Sequence, residues 1–228
     1  MPGGPPSLRK TALTLPQPDD QHSNPEWQGI MLGRAGLITT AAALAAAATL
    51  SITVTADAAA ANTIACGHWR WPVKTGSDAT RRQVHRTISY TTVAYLDRQT
   101  PPASFGTYAQ NHRIKPAEFR TWQINAVTLI AIKLEDDGDI HLRLRSAGKN
   151  MIAESPLPRC VSAASLWKGG ITSARNAITS RYWVSLSRWH YLYRTISIRG
   201  LGFFDEEHGV TGAAPNDIEL HPVIWIRF

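Results

Sequence analysis

Two acidic-histidine patches carry the residue types that could do chemistry. The first is Glu135, Asp136, Asp137, Asp139 and His141. The second is Asp205, Glu206, Glu207, His208, Asn216, Asp217, Glu219 and His221. Imidazoles and carboxylates brought to one point can ligate a divalent metal and activate a water. They can equally serve as a general acid and a general base. Asp139, His141, His208 and His221 are the candidates for such a role. A plainer role is open to each group. Asp137-Gly138 and Asn216-Asp217 are ordinary turn chemistry, Asp205-Glu206-Glu207 reads as a solvated loop, and His221 before Pro222 could satisfy a backbone group. No H-E-x-x-H, G-x-S-x-G or C-x-x-C occurs, so no known catalytic class is signalled. Lys74-Thr75 resembles the end of a phosphate loop, but the glycines that should precede it are missing.

A second set of residues suits binding. Trp183, Trp189, Tyr191 and Tyr193 stand among Arg181, Arg188 and Arg194. Aromatic platforms beside cations suit single-stranded nucleic acid or sugar polymers, with core packing as the competing role. Asp137, Arg143, Arg145, Glu154, Asn216 and Glu219 complete the candidate binding residues. Arg143, Arg145 and Glu154 could also be offered for a thermonuclease-like calcium site, although their spacing matches no such motif.

The elements that must position these groups are strands. Leu134 to Leu142 reads as a strand end, a tight acidic turn at Asp137-Gly138, and a new strand. Along that new strand, Asp139 to Arg145, the polar residues Asp139, His141 and Arg143 alternate with Ile140, Leu142 and Leu144, which predicts one core face and one solvent face. Thr121 to Glu135 predicts the preceding strand, with Trp122, Ile124, Ala126, Ile130, Ile132 and Leu134 on one parity. Its middle, Val127 to Ile132, is apolar on both faces, as in a curved, doubly covered strand. Ser146 to Lys149 supplies a turn, and Asn150 to Ser155 a third strand ended by prolines. Ile171, Ala174 and Ile178 predict a helix to about Thr179. Tyr191 to Phe204 predicts a fourth strand whose Gly200-Leu201-Gly202 suggests a bulge, and Ile218 to Phe228 a fifth. Three strands, a helix and two strands is the order of the OB-fold, a small five-stranded barrel that binds ligands on its second and third strands and adjoining loops. An open meander is the rival.

Four regions follow along the chain. Residues 1–30 read as a disordered or untranslated leader. Residues 31–61 have Arg34, an apolar alanine-rich run and small residues spaced for cleavage, as in a secretory signal. The run is long enough to serve instead as a single-pass anchor. Residues 62–118 form an irregular lead-in that wraps the barrel, with Thr91-Thr92 capping a short helix, and residues 119–228 are the barrel itself. An exported chain with two cysteines, Cys66 and Cys160, is expected to join them. Thr63-Ile-Ala-Cys66 is only a loose lipoprotein box.

Apolar residues make up 43% and charged residues 18%, which allows a packed core. The formal net charge is +7; residues 1–58 hold three basic and four acidic groups, leaving 21 against 13, a net of +8. That excess favours anionic partners such as nucleic acid or an envelope polymer.

Several segments together are similar to a family of exported bacterial proteins with no assigned reaction. They are Lys133-Leu-Glu-Asp-Asp-Gly-Asp-Ile-His-Leu142, Met151-Ile-Ala-Glu154, Gly202-Phe-Phe-Asp205 with His208-Gly209, and Ala214-Pro-Asn-Asp-Ile-Glu-Leu-His-Pro-Val223. The resemblance spans about Cys66 to Phe228 and implies export and the fold, but no catalytic residues. This chain departs from the pattern at Val210, Asp217 and Trp225. The expected function is an exported OB-like binding module for a polyanion. The alternative is a metal-dependent hydrolase, phosphodiesterase- or nuclease-like, built on the acidic-histidine rim with a divalent metal.

Overall fold

A computed structural model describes residues 64–106, 108–186, 188–206 and 209–228. The leader, the secretory or anchoring segment and His208 lie outside the described residues. Among the described residues, no helix is long and apolar enough to cross a membrane.

The chain is mainly β. Its strands are β1 (His85–Thr91), β2 (Arg120–Leu134), β3 (Ile140–Ser146), β4 (Lys149–Ser155), β5 (His190–Phe204) and β6 (Ile218–Arg227). The helices are α1 (Trp71–Lys74), α2 (Val93–Leu96) and α3 (Lys168–Thr179), with several short 3-10 turns. The strands make one six-stranded sheet in the order β1-β2-β3-β4-β6-β5, and β2 also pairs with β5. β1 with β2 and β4 with β6 run parallel; the other neighbours are antiparallel.

Local chemistry explains the joints. At the β2–β3 turn Gly138 has φ 85°, a conformation costly for a side chain. Its N–H donates to the Glu135 carbonyl at 2.9 Å, and Asp137 Oδ1 accepts from the Asp139 N–H at 3.0 Å. The β3–β4 hairpin turns on Ala147 and Gly148, both with positive φ, as a two-residue turn of this hand requires. Thr92 caps α2, its Oγ1 accepting from the Tyr95 N–H at 3.1 Å. Ile171, Ala174 and Ile178 form the buried stripe of α3. The core gathers Val127, Leu129, Ile132, Ile140, Leu142, Met151, Ile198, Phe204 and Leu220.

The expected single parity of β2 does not hold. The register against β5 shifts between Ile124 and Val127 and again between Leu129 and Ala131, with Ala126 at φ 52°. Each bulge turns the opposite side of the strand inward. Trp122 and Ile124 are buried, then Val127 and Leu129, then Ile132; Ala126 is exposed and Ile130 half-buried. The Gly200-Leu201-Gly202 bulge is present, with register shifts against β6 at both glycines. A Cβ at Gly202 would collide with the Ala117 carbonyl.

The lead-in also holds a strand, β1, which the sequence pattern did not predict. β1 is mostly exposed and pairs only with β2, so it needs no apolar alternation. The lead-in is fastened by Arg70, which is fully buried. Its guanidinium meets Glu118 at 2.8 and 2.7 Å and donates to the Ala109, His112 and Phe204 carbonyls. Cys66 and Cys160 form a disulfide, Cα atoms 5.6 Å apart, tying the start of the described chain to the turn after β4. Trp71 Nε1 donates to the Cys160 carbonyl at 3.1 Å beside it.

Candidate functional site

β3, β4 and β6 bring residues of both acidic-histidine patches together around Glu154. His141 on β3 stands opposite Glu154 on β4, and β6 runs parallel to β4 with Glu219 beside Ile152. Glu154 Oε1 lies 3.0 Å from His141 Nδ1, and Glu154 Oε2 lies 3.0 Å from His221 Nδ1. The other ring nitrogen of His221 is 3.2 Å from Asp139 Oδ2, and Glu219 Oε2 is 3.7 Å from His221 Nδ1. Glu135 closes on His141 Nδ1 at 3.1 Å. Lys74, the last residue of α1, reaches Asp205 at 3.5 Å and Glu154 at 3.9 Å.

Asp139, His141, Glu154, Glu219 and His221 are all buried. The expectation that Asp139 and His141 face solvent is therefore corrected: at this end of β3 both faces are covered. Trp189 packs edge-on to His141 with ring centroids 5.2 Å apart.

Burial opposes charge on every one of these groups, and the neighbours then decide the outcome. For His141, burial is overcome by Glu135 and Glu154, which push its pKa up to about 9. Burial of His221 is likewise overcome by Asp139, Glu154 and Glu219, and its pKa is raised. Lys74 is raised too, because Glu154 and Asp205 outweigh its burial. Glu154, despite burial, is held well below the carboxylate range by Lys74 and the two imidazoles. Glu219 goes the other way: burial and the charge of Glu154 raise it to about 7. The upward shifts of His141 and His221 favour their protonated forms, and Glu154 is the carboxylate that both contact. One ligand atom from each of Asp139, Glu154 and His221 lies within 4.8 Å of the others, a spacing that could hold a metal ion.

The remaining candidates scatter. Asp137 is half-buried in the turn, its pKa raised by burial and by Asp139. Asn216 staples its loop to α2, donating to the Leu96 and Gln99 carbonyls at 3.0 and 2.8 Å. Arg143 stacks on Trp189, 5.3 Å from its ring centre, and Arg145 is exposed. Lys74 was missed, since nothing in its local sequence points 80 residues ahead to Glu154.

Exposed aromatic residues and a cleft lie apart from this cluster. Tyr90, Trp183 and Tyr193 are 69%, 72% and 65% exposed, and Tyr191 stacks on Tyr193 with ring centroids 6.1 Å apart. Tyr90, Gln123, Asn125, Arg199, Trp225 and Arg227 line a cleft of about 660 Å³. The Arg199 and Arg227 guanidinium groups lie 5.0 and 6.0 Å from the Trp225 ring centre. Arg199 is fixed by two hydrogen bonds to Gln123 Oε1, at 2.9 and 2.7 Å. A second hollow of about 510 Å³ shares Tyr90 and adds Tyr95, Arg98, Arg120 and Trp122.

No family profile and no curated protein matches this chain. A solved structure described as an aspartyl-tRNA synthetase from Leishmania major Friedlin is similar at 14% identity and a TM-score of 0.36. The similarity covers 63% of this chain and 21% of that one.

Proposed function

We propose that the chain is an exported binding module with an OB-like barrel core, and that it holds an anionic polymer on its outer aromatic-arginine face. The barrel reading is supported by the circuit of pairings from β2 through β3, β4, β6 and β5 back to β2. Export is supported by the disulfide and by the apolar segment that precedes it.

The observation that carries the ligand class is the cleft in which Tyr90 and Trp225 stand beside Arg199 and Arg227. Flat rings give sequence-tolerant stacking, about 1–3 kcal/mol per base in nucleic-acid complexes. Guanidinium groups pair with phosphate, sulfate or carboxylate. The proposed face is carried by β1, β2, β5 and β6, whereas the OB-fold pattern points to the second and third barrel strands.

Binding of fluorescent single-stranded DNA and of an anionic glycan, measured across a salt series, tests the reading. Affinity should fall steadily with salt. Arg199→Ala and Arg227→Ala should each weaken binding and flatten the salt slope, and Tyr90→Ala should weaken it with the slope unchanged. Absence of salt-dependent binding to both polymers would overturn the proposal.

A further inference from the structure

We propose that Asp139, Glu154 and His221 form a binding site for one divalent first-row transition ion, with Glu219 as a fourth donor. The site is separate from the polymer face and does not rest on it.

The first argument is an excess of orphaned atoms. Buried polar atoms are nearly always hydrogen-bonded, and exceptions call for an unseen water or ion. Asp139 Oδ2, Glu219 Oε2 and both ring nitrogens of His221 are buried without a hydrogen-bond partner. His221 has carboxylate oxygens at 3.0 and 3.2 Å, yet neither ring N–H is aligned with one. Asp139 faces one ring nitrogen of His221 and Glu154 and Glu219 the other, so donors crowd the imidazole from both sides.

The second argument is spacing. Nitrogen and oxygen ligands bind Zn²⁺ at about 2.0–2.2 Å, so neighbouring donors in its tetrahedral shell stand roughly 3.3–3.6 Å apart. Glu154 Oε2 and Glu219 Oε2 stand 3.0 and 3.7 Å from His221 Nδ1, while Asp139 Oδ2 is 3.2 Å from the other ring nitrogen, Nε2. One donor atom from each of Asp139, Glu154 and His221 lies within 4.8 Å of the others, so an ion bound at one nitrogen requires the carboxylate facing the other to draw in.

The third is chemistry. One imidazole with carboxylates suits zinc, manganese or ferrous ions. It suits neither copper(I), which prefers thiolates, nor magnesium, which prefers oxygen alone. The outer partners that usually orient ligands are also present. Glu154 Oε1 is held by His141 at 3.0 Å, and Asp139 Oδ1 accepts from the Leu157 N–H at 3.3 Å. Lys74, 3.9 Å from Glu154, also lines a hollow of about 370 Å³ with Trp69, Trp71 and Asp137.

The test uses purified wild-type protein stripped with a chelator, then titrated with Zn²⁺ by calorimetry and with Co²⁺ by visible absorption. One ion per chain is expected, with a Co²⁺ band in the visible and a thermal midpoint that rises with Zn²⁺. Asp139→Asn and Glu154→Gln should each weaken Zn²⁺ at least about tenfold, and Asp136→Asn, at an exposed position of the turn, should leave it unchanged. If either substitution prevents folding, the wild-type titration and spectrum decide. No stoichiometric uptake by the wild type, or uptake that both folded variants retain in full, overturns the site.

Discussion

Replacing Glu118 by Gln should cost about 3–5 kcal/mol of stability, the usual penalty for breaking a buried ion pair from one side. The structure supplies the working. Glu118 Oε1 accepts from Arg70 Nη1 and the Phe204 N–H, both at 2.8 Å; Oε2 accepts from Arg70 Nη2 at 2.7 Å and the Ile114 N–H at 2.6 Å. A glutamine fits the same space but turns one oxygen into an amino group. Whichever oxygen is lost, two buried donors lose their acceptor, at about 1–3 kcal/mol each. The Arg70 charge also loses its counter-ion among Trp69, Phe105 and Phe203, where no solvent reaches it. Against a typical total of about 5–15 kcal/mol, the loss is large. Urea titration measures it. The double variant Arg70→Met with Glu118→Gln should lose less than the two single losses added, by about 0.5–3 kcal/mol, because the orphaned guanidinium is gone. A loss below about 1 kcal/mol for Glu118→Gln, or strict additivity, would refute the reasoning.

Other outcomes follow from the same reading. Cys66→Ser with Cys160→Ser opens a loop spanning 94 residues and should cost about 4–5 kcal/mol in the chain-entropy account, read from the urea midpoint with wild type as reference. In chelator-stripped protein, the raised pKa of His141 stabilises the fold fully below pH 6.5, and that contribution drains away as pH climbs to about 9. Urea stabilities at pH 6 and 9.5 should show this fall, with a His141 share of roughly 3 kcal/mol at 1.36 kcal/mol per pKa unit; the raised His221 adds its own, so His141→Asn should make the fall smaller without abolishing it. Glu219, raised to about 7, makes the fold lose stability earlier, between pH 4.5 and 7; Glu219→Gln should remove that segment of the curve. Arg175 donates to the Ser155 and Gly138 carbonyls at 2.6 and 2.8 Å, so Arg175→Met should cost about 2–4 kcal/mol in the same assay, and a neutral result would show that water replaces it.

Much of the β architecture was legible because the relevant signals are local. The Asp137-Gly138 turn, the alternation along β3, the helical spacing of Ile171, Ala174 and Ile178, and the glycine bulge of β5 each need only a few adjacent residues. Asp139, His141, Glu219 and His221 could be picked out by residue type, whereas Glu154, which stands between the two histidines, was offered only as a binding residue and for an unmatched calcium motif. Three things were hidden. Bulges in β2 reverse the facing of its side chains, and Ala126 carries no mark of its positive φ. β1 is an edge strand with almost no apolar pattern. The depth of the acidic-histidine cluster depends on Lys74, Trp189 and the lead-in covering it, which only the assembled fold shows. A polar side chain on an alternating strand therefore reads as exposed until its lid is known.

β6 follows every other strand in the chain, yet it bridges β4 and β5 and carries both Glu219 and His221. A nascent polypeptide that has not reached residue 218 leaves two strands with open hydrogen-bonding edges, the kind of surface that recruits other chains. Synthesis must pass β6 before those edges are covered. Fragments ending before residue 218 should clump rather than fold.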